Sequence, residues 1–172
     1  MKTMIISDIH GYSKNLKKVL EVFQKEQCRE LIVLGDLLTP GRDEDEVIEL
    51  LNKYAFNIIC IRGNNDTYIY GNLMFNLIDN ILKYNLDNNI CYLTHGHRFN
   101  KDNENFLKTG EILIQGHTHI SDLSFKNGKY YINPGSISLP RDNTDGSYII
   151  YENNIFYLYD IDNNLIDSLE IK

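Results

Sequence analysis

All five histidines of this 172-residue chain, His10, His95, His97, His117 and His119, stand just after short apolar runs and beside glycine or another histidine of the set. Asp8, Asp36 and Asn64 occupy the same kind of place, following Met4-Ile5-Ile6, Leu31-Ile32-Val33-Leu34 and Ile58-Ile59-Cys60-Ile61. Alternation along an extended chain points residues i and i+2 the same way, so the Asp8 carboxylate and the His10 imidazole can face one ion. Taken alone, the pair reads equally well as two metal donors or as a turn acceptor, Asp8, followed by a surface histidine, His10. The recurrence of the pattern argues for a shared purpose. Imidazole, carboxylate and amide donors without cysteine suit Mn, Fe, Zn, Ni or Co, and are too nitrogen-rich for a dedicated Mg or Ca site. They are also more than one ion takes. Such a set divides between two cations about 3.5 to 4 Å apart that share a carboxylate, an arrangement used for in-line displacement at phosphorus.

The elements that must position these residues follow from periodicity. Leu16, Val19, Leu20 and Phe23 fall at helical spacing after Ser13, a candidate N-cap, and this helix is expected to end near Gln27. Asp43 opens a second helix with Val47, Leu50, Leu51 and Tyr54 on one face. Strand and helix alternate through residue 66, which calls for a parallel sheet with right-handed crossovers and polar residues at one edge. Residues 69 to 81 are ambiguous and read as a short helix and a connection. Ile81 to Tyr84 and Ile90 to Leu93 form a strand pair around the turn at 85 to 89, and Ile112-Leu113-Ile114 is a further strand. Glu104, Phe106 and Leu107 suggest a short helix within the polar stretch 99 to 109. Asn127-Gly128 marks a hairpin, Asn133 to Ser136 a tight loop, and the tail a meander turning at 153 to 154 and 163 to 164. The expected fold class is α/β, one domain over 1 to 172, with sheet packed on sheet and helices outside.

A chain of this length buries most of its apolar surface without a disulfide or structural metal, so metal here would serve function. No apolar run approaches the roughly 18 to 20 residues of a membrane span, and the amino terminus runs straight into a strand rather than a secretory signal. The expected location is cytoplasmic. Cys28, Cys60 and Cys91 are odd in number and widely spaced, which predicts free buried thiols. A net charge of −7 argues against long nucleic acid as a partner. A small anionic substrate remains compatible, because bound divalent cations supply a local positive centre.

In their order along the chain, Asp8-Ile9-His10-Gly11, Gly35-Asp36, Gly63-Asn64-Asn65-Asp66, His95-Gly96-His97 and Gly116-His117-Thr118-His119 resemble the motifs of the calcineurin-like metallophosphoesterase family. The likeness is to its small bacterial and archaeal phosphodiesterases of the YfcE type, and Asn133 to Ser136 with Leu139-Pro140-Arg141 resembles their downstream loop. The resemblance implies a two-sheet β-sandwich flanked by helices, the αββα arrangement. It implies Asp8, His10 and His119 on one metal, Asn64, His95 and His117 on a second, and Asp36 bridging, with a metal-bridging hydroxide as nucleophile and manganese as the ion. The substrate would be a small phosphodiester. One position departs from the wider family, where a leaving-group histidine stands in place of Asn65. Asparagine donates a hydrogen bond but cannot deliver a proton near neutral pH, so diesters or activated esters with good leaving groups are expected. His97 falls on the pocket rim or behind a ligand, and Arg141 and Arg62 are placed either to meet substrate phosphate or to serve structure. Asp66 orients a ligand or caps the next helix. The alternatives are a phosphomonoesterase, a nuclease, or a non-catalytic scaffold that binds metal and protein. The tail strands would permit a homo-oligomer.

Overall fold

The computed structural model describes residues 2 to 68 and 72 to 172. The first part of the chain alternates β1 (Thr3–Ile6), α1 (Ser13–Lys25), β2 (Glu30–Val33), α2 (Glu44–Asn52) and β3 (Ile58–Ile61). A 3-10 turn at Asp66–Tyr68 leads to β4 (Leu77–Ile78), then β5 (Ile81–Leu86), β6 (Asn89–Thr94), β7 (Ile112–Gln115), β8 (Ser121–Lys126) and β9 (Lys129–Pro134). The tail forms β10 (Ser147–Glu152), β11 (Ile155–Asp160) and β12 (Leu165–Glu170). Two sheets result, one ordered β12-β11-β10-β1-β2-β3-β4 and the other β5-β6-β7-β9-β8. β1 to β4 are parallel, as are β6, β7 and β9, so the strands that precede the histidines end in bundles of like direction.

β1, β2 and β3 are apolar at every core position because both faces of their sheet are covered. Ile5, Ile32, Ile61 and Ile149 meet Leu93, Ile112, Ile114 and Ile132 between the sheets. On the other face Met4, Leu31 and Val33 pack under Leu16, Val19 and Phe23 of α1 and Val47 and Leu51 of α2. The expected two-sheet sandwich with flanking helices is what the chain adopts, both α-helices lying on the larger sheet. The smaller sheet is covered by the stretch before β7, whose Phe106 and Leu107 pack on Leu113, Tyr131 and Tyr92.

Several local expectations need correction. Ser13 makes no N-cap bond; its hydroxyl donates to Asp43 Oδ2 at 2.8 Å and ties the starts of the two helices together. α1 stops at Lys25, and Gln27 turns the chain at φ 53° toward β2. Residues 99 to 109 hold no helix, because Asn100 and Asn103 bond locally: Asn100 N donates to Asn103 Oδ1, Asp102 N to Asn100 Oδ1, and Asn103 Nδ2 to Arg98 O. Such bonds offer the backbone an alternative to helix. The turn at 85 to 89 narrows to Asp87 and Asn88, lengthening both strands. Asn133 and Pro134 belong to β9, opposite Asp122 and Ser121, and the loop begins only at Gly135. Part of the 69 to 81 reading lies outside the described residues; the rest contains β4 and no α-helix.

The Asn-Gly hairpin and the Asn-Asn turn form as expected, with Asn127, Gly128, Asn153 and Asn154 all at positive φ. Cys28, Cys60 and Cys91 are free and buried. Among the described residues, no helix is long and apolar enough to cross a membrane. β12 is an exposed edge strand, with Leu165 and Ile166 open to solvent.

Candidate metal centre

The loops after β1 and β2 are locked to each other beyond the strands themselves. Asp8 N donates to Gly35 O, His10 N to Asp36 O and Gly11 N to Leu37 O, so the parallel ladder continues into the site. The backbone there is unusual. Asp8, His10, Asp36, His117 and His119 all adopt φ between 50° and 69°, the left-handed region. Each such residue costs ~1–3 kcal/mol and persists only where its surroundings over-determine it. Two glycines make room: a Cβ on Gly63 would overlap Asp36 Oδ1, and one on Gly116 would overlap Ser7 Oγ and crowd Asp8 Oδ2.

The side chains converge. His119 Nε2 lies 3.3 Å from Asp8 Oδ1 and 3.3 Å from His10 Nε2. His10 Nε2 lies 3.6 Å and His95 Nε2 3.5 Å from the same Asp36 oxygen, Oδ2, which therefore sits between two imidazoles. Among the described residues, Asp8 with His10 and His119, and Asp8 with Asp36 and His95, are the groups whose ligand atoms lie within 4.8 Å of one another. Asn64 Oδ1 approaches His95 Nε2 at 3.0 Å. His117 lies outside both groups; its ring centroid is 5.0 Å from that of His95, and its N–H donates to Asp8 Oδ2 at 3.0 Å.

The far side of each ring is anchored. His95 Nδ1 donates to Leu34 O at 2.7 Å and His119 Nδ1 to Leu139 O at 2.6 Å, while His10 Nδ1 meets Thr39 Oγ1 at 3.0 Å. A carbonyl only accepts, so His95 and His119 carry their proton on Nδ1 and, when neutral, turn an Nε2 lone pair inward. Holding the outer nitrogen this way is how proteins orient metal-binding histidines. Asp8 Oδ1 is buried and, among the described residues, has no hydrogen-bond partner. Inward lone pairs beside an unsatisfied buried carboxylate oxygen are what a cation would complete, so the donor set fits divalent metal.

Electrostatics agree with that crowding. Burial alone would raise the Asp36 pKa, yet bonds and charge from His95 and bonds from Asn65 hold it below the usual carboxylate range. His95 and His119 are shifted up, despite burial, by Asp36 and Asp8 respectively. Burial shifts His10, His97 and His117 down.

Of the two roles expected of Asp66, it caps no α-helix but does hold the backbone of Asp36, a predicted ligand. Fully buried, its carboxylate accepts from the N–H groups of Asp36, Leu37 and Gly63, each at 2.8 Å, and so clamps the loops after β2 and β3 together. Asn65 donates to both oxygens of Asp36, from N at 2.9 Å and from Nδ2 at 2.7 Å. Arg62 serves structure, bonding Asp79 Oδ1 and Asp66 O. Arg141 is exposed and lines, with Leu139 and Asn65, the cavity of ≈490 Å³ that opens onto His10, Asp36 and His119. His97 lies off the convergence point, its ring 5.4 Å from His95. Sequence reasoning missed Thr39, Ser136, whose hydroxyl donates to Asp8 O, and the Leu34 and Leu139 carbonyls. A backbone carbonyl leaves no mark in residue type.

The sequence profile of the calcineurin-like phosphoesterase superfamily domain matches residues 1–154. The chain belongs to that superfamily. It is 32% identical over 164 residues to phosphodiesterase YfcE of Escherichia coli K12, covering 90% of this chain and 89% of the relative. It is 30% identical over 144 residues to a phosphodiesterase of Methanocaldococcus jannaschii, covering 78% and 83%. The solved structure of the E. coli phosphoesterase YfcE superposes with a TM-score of 0.92 at 31% identity, over all of both chains. A zinc complex of Vps29 from Entamoeba histolytica, 19% identical with a TM-score of 0.72 over all of both chains, shares the fold. Superfamily membership and the named relatives place the chain among the hydrolases that act on phosphodiester bonds.

Proposed function

We propose that this calcineurin-like phosphoesterase hydrolyses small phosphodiesters at a centre for two divalent cations, with manganese the ion assigned. Asp8, His10 and His119 would hold one, Asn64, His95 and His117 the other, and Asp36 would be shared. The observation that carries this reading is the convergence of the His10, His95 and His119 Nε2 atoms on Asp8 and Asp36 around a buried, unpartnered oxygen. When bound, such a pair of cations lowers the pKa of water and neutralises phosphoryl oxygens, which removes the need for a serine or cysteine nucleophile.

The protein's own groups do the positioning. The Leu34 and Leu139 carbonyls fix two ring orientations, and Asp66 holds the loop of Asp36 against that of Asn64. Asn65 orients the shared carboxylate through both of its oxygens. It gives the leaving group no titrating proton, which confines efficient turnover to diesters or activated esters with good leaving groups. Arg141, at the mouth of the cavity, supplies a guanidinium to the anionic substrate, and His97 borders the neighbouring cavity beyond Asn64.

The test is metal content together with hydrolysis of bis(p-nitrophenyl) phosphate after chelation and manganese addition. Restored turnover with about two ions per chain is expected; absence of either overturns the reading. Asn65→His should favour poorer leaving groups, and an unchanged ratio of rates between good and poor leaving groups would remove its assigned role.

A further inference from the structure

Asn64 forms part of the wall of two cavities. One opens onto His10, Asp36 and His119; the other, of ≈400 Å³, is bordered by Arg62, Arg98, His97 and Asp79. The second is built around two guanidinium groups pinned by consecutive residues of the β4–β5 turn: Arg62 Nε donates to Asp79 Oδ1 at 2.7 Å and Arg98 Nη1 to Asn80 Oδ1 at 2.8 Å. Arg98 is exposed, and the rest of its N–H face has no partner among the described residues. His97 closes part of the wall, with its Nδ1 buried behind the cavity surface and without a hydrogen-bond partner among the described residues.

The distribution of charge is what singles this place out. The chain carries 24 acidic against 17 basic residues, yet three of its five arginines, Arg62, Arg98 and Arg141, border these two adjoining cavities. Two arginines against one aspartate leave the second cavity net positive. A planar guanidinium with free N–H groups, held in place beforehand, is suited to a phosphate oxygen pair.

We propose that this second cavity is an anion subsite that takes a further phosphate of the substrate while the scissile phosphodiester lies at Asp36. The proposal rests on the phosphodiesterase reading and narrows it: the substrate class is a diester bearing an additional terminal phosphate, such as a 5′-phosphorylated dinucleotide. Diesters with a single phosphate, including cyclic mononucleotides and glycerophosphodiesters, bring no second phosphate to the cavity beside Arg98.

Two measurements test this. With manganese, the kcat/KM of the wild type for a 5′-phosphorylated dinucleotide should exceed that for the 5′-hydroxyl counterpart by about tenfold or more, and Arg98→Gln should abolish most of that ratio while Arg98→Lys retains part of it. No 5′-phosphate advantage, or an advantage that survives Arg98→Gln, overturns the proposal. Independently, calorimetry on the metal-free protein should show inorganic pyrophosphate binding that Arg98→Gln weakens by about tenfold; equal affinity overturns it. If the wild type hydrolyses neither dinucleotide nor bis(p-nitrophenyl) phosphate, the phosphodiesterase reading fails, and the pyrophosphate titration still decides whether the subsite exists.

Discussion

Left-handed backbone appears in two kinds of place in this molecule, and residue type obeys different rules in each. Outside the centre it falls mostly on asparagine, at Asn80, Asn127, Asn153, Asn154 and Asn163, with Gln27 and Asp87 the other non-glycine cases among the described residues. The short asparagine amides bond locally and tolerate that region at little cost. At the metal centre it is carried by two aspartates and three histidines, Asp8, Asp36, His10, His117 and His119. Turn residues serve the backbone conformation; at the centre the conformation serves the side chains, and neighbouring structure bears its cost.

The widest gap between the two regions is expected in activity. Asp36→Ala should lower the manganese-dependent rate by more than about 100-fold, beyond the range seen for residues that merely support ligands, and should reduce bound metal by elemental analysis. Full metal and full rate would erase the distinction. Next is the clamp. Asp66→Ala leaves the N–H groups of Asp36, Leu37 and Gly63 without their acceptor. At about 1–3 kcal/mol for each unsatisfied group, the loss in urea unfolding should reach about 3 kcal/mol or more, with Asp66→Asn recovering part of it.

A matched pair sharpens the contrast further. His117→Gly and Asn153→Gly both place glycine at positive φ, so the metal-free protein should lose no more than about 1 kcal/mol in either case, and His117→Gly, by relieving left-handed strain of about 1–3 kcal/mol, should come out the more stable of the two. The first alone should depress turnover.

At neutral pH the smallest effect concerns the thiols. Burial raises the Cys28 pKa from 9.0 to about 11 and that of Cys91 to about 12, and raises Cys60 as well. The folded chain therefore keeps protons that the unfolded chain releases above pH 9. Stability should be unaffected by these groups below that value and fall as pH rises from it toward about 12. A thiol reagent at pH 8 should label the native protein slowly and the unfolded protein at all three cysteines.

Much of this architecture is legible in the chain itself, for identifiable reasons. Parallel strands covered on both faces need uninterrupted apolar residues, so Met4-Ile5-Ile6 and Leu31-Ile32-Val33 announce themselves, and the polar residues beyond them mark the functional edge. α1 follows from the spacing of Leu16, Val19, Leu20 and Phe23, all buried in one stripe. What escapes the sequence is tertiary. The 99 to 109 stretch has apolar residues at helical spacing, but asparagine side chains capture its backbone. Asp66 looks like a cap until the two loops it joins are seen side by side. The histidine anchors are carbonyls, and the left-handed positions fall on aspartates and histidines whose tolerance of that region is too weak to mark them in the sequence.

The pairing of β1 with β10 joins Thr3 to Tyr151, so β1 finds one of its two neighbours only after every strand from β2 to β9 has been made. During synthesis that edge waits with its hydrogen-bonding groups open, and closing so long a loop is slow. Asp8, emerging early, likewise waits for His119 and for the Ser136 hydroxyl that fastens its carbonyl. A half-made chain therefore holds only fragments of a metal trap, and the ability to capture ions arrives late in translation.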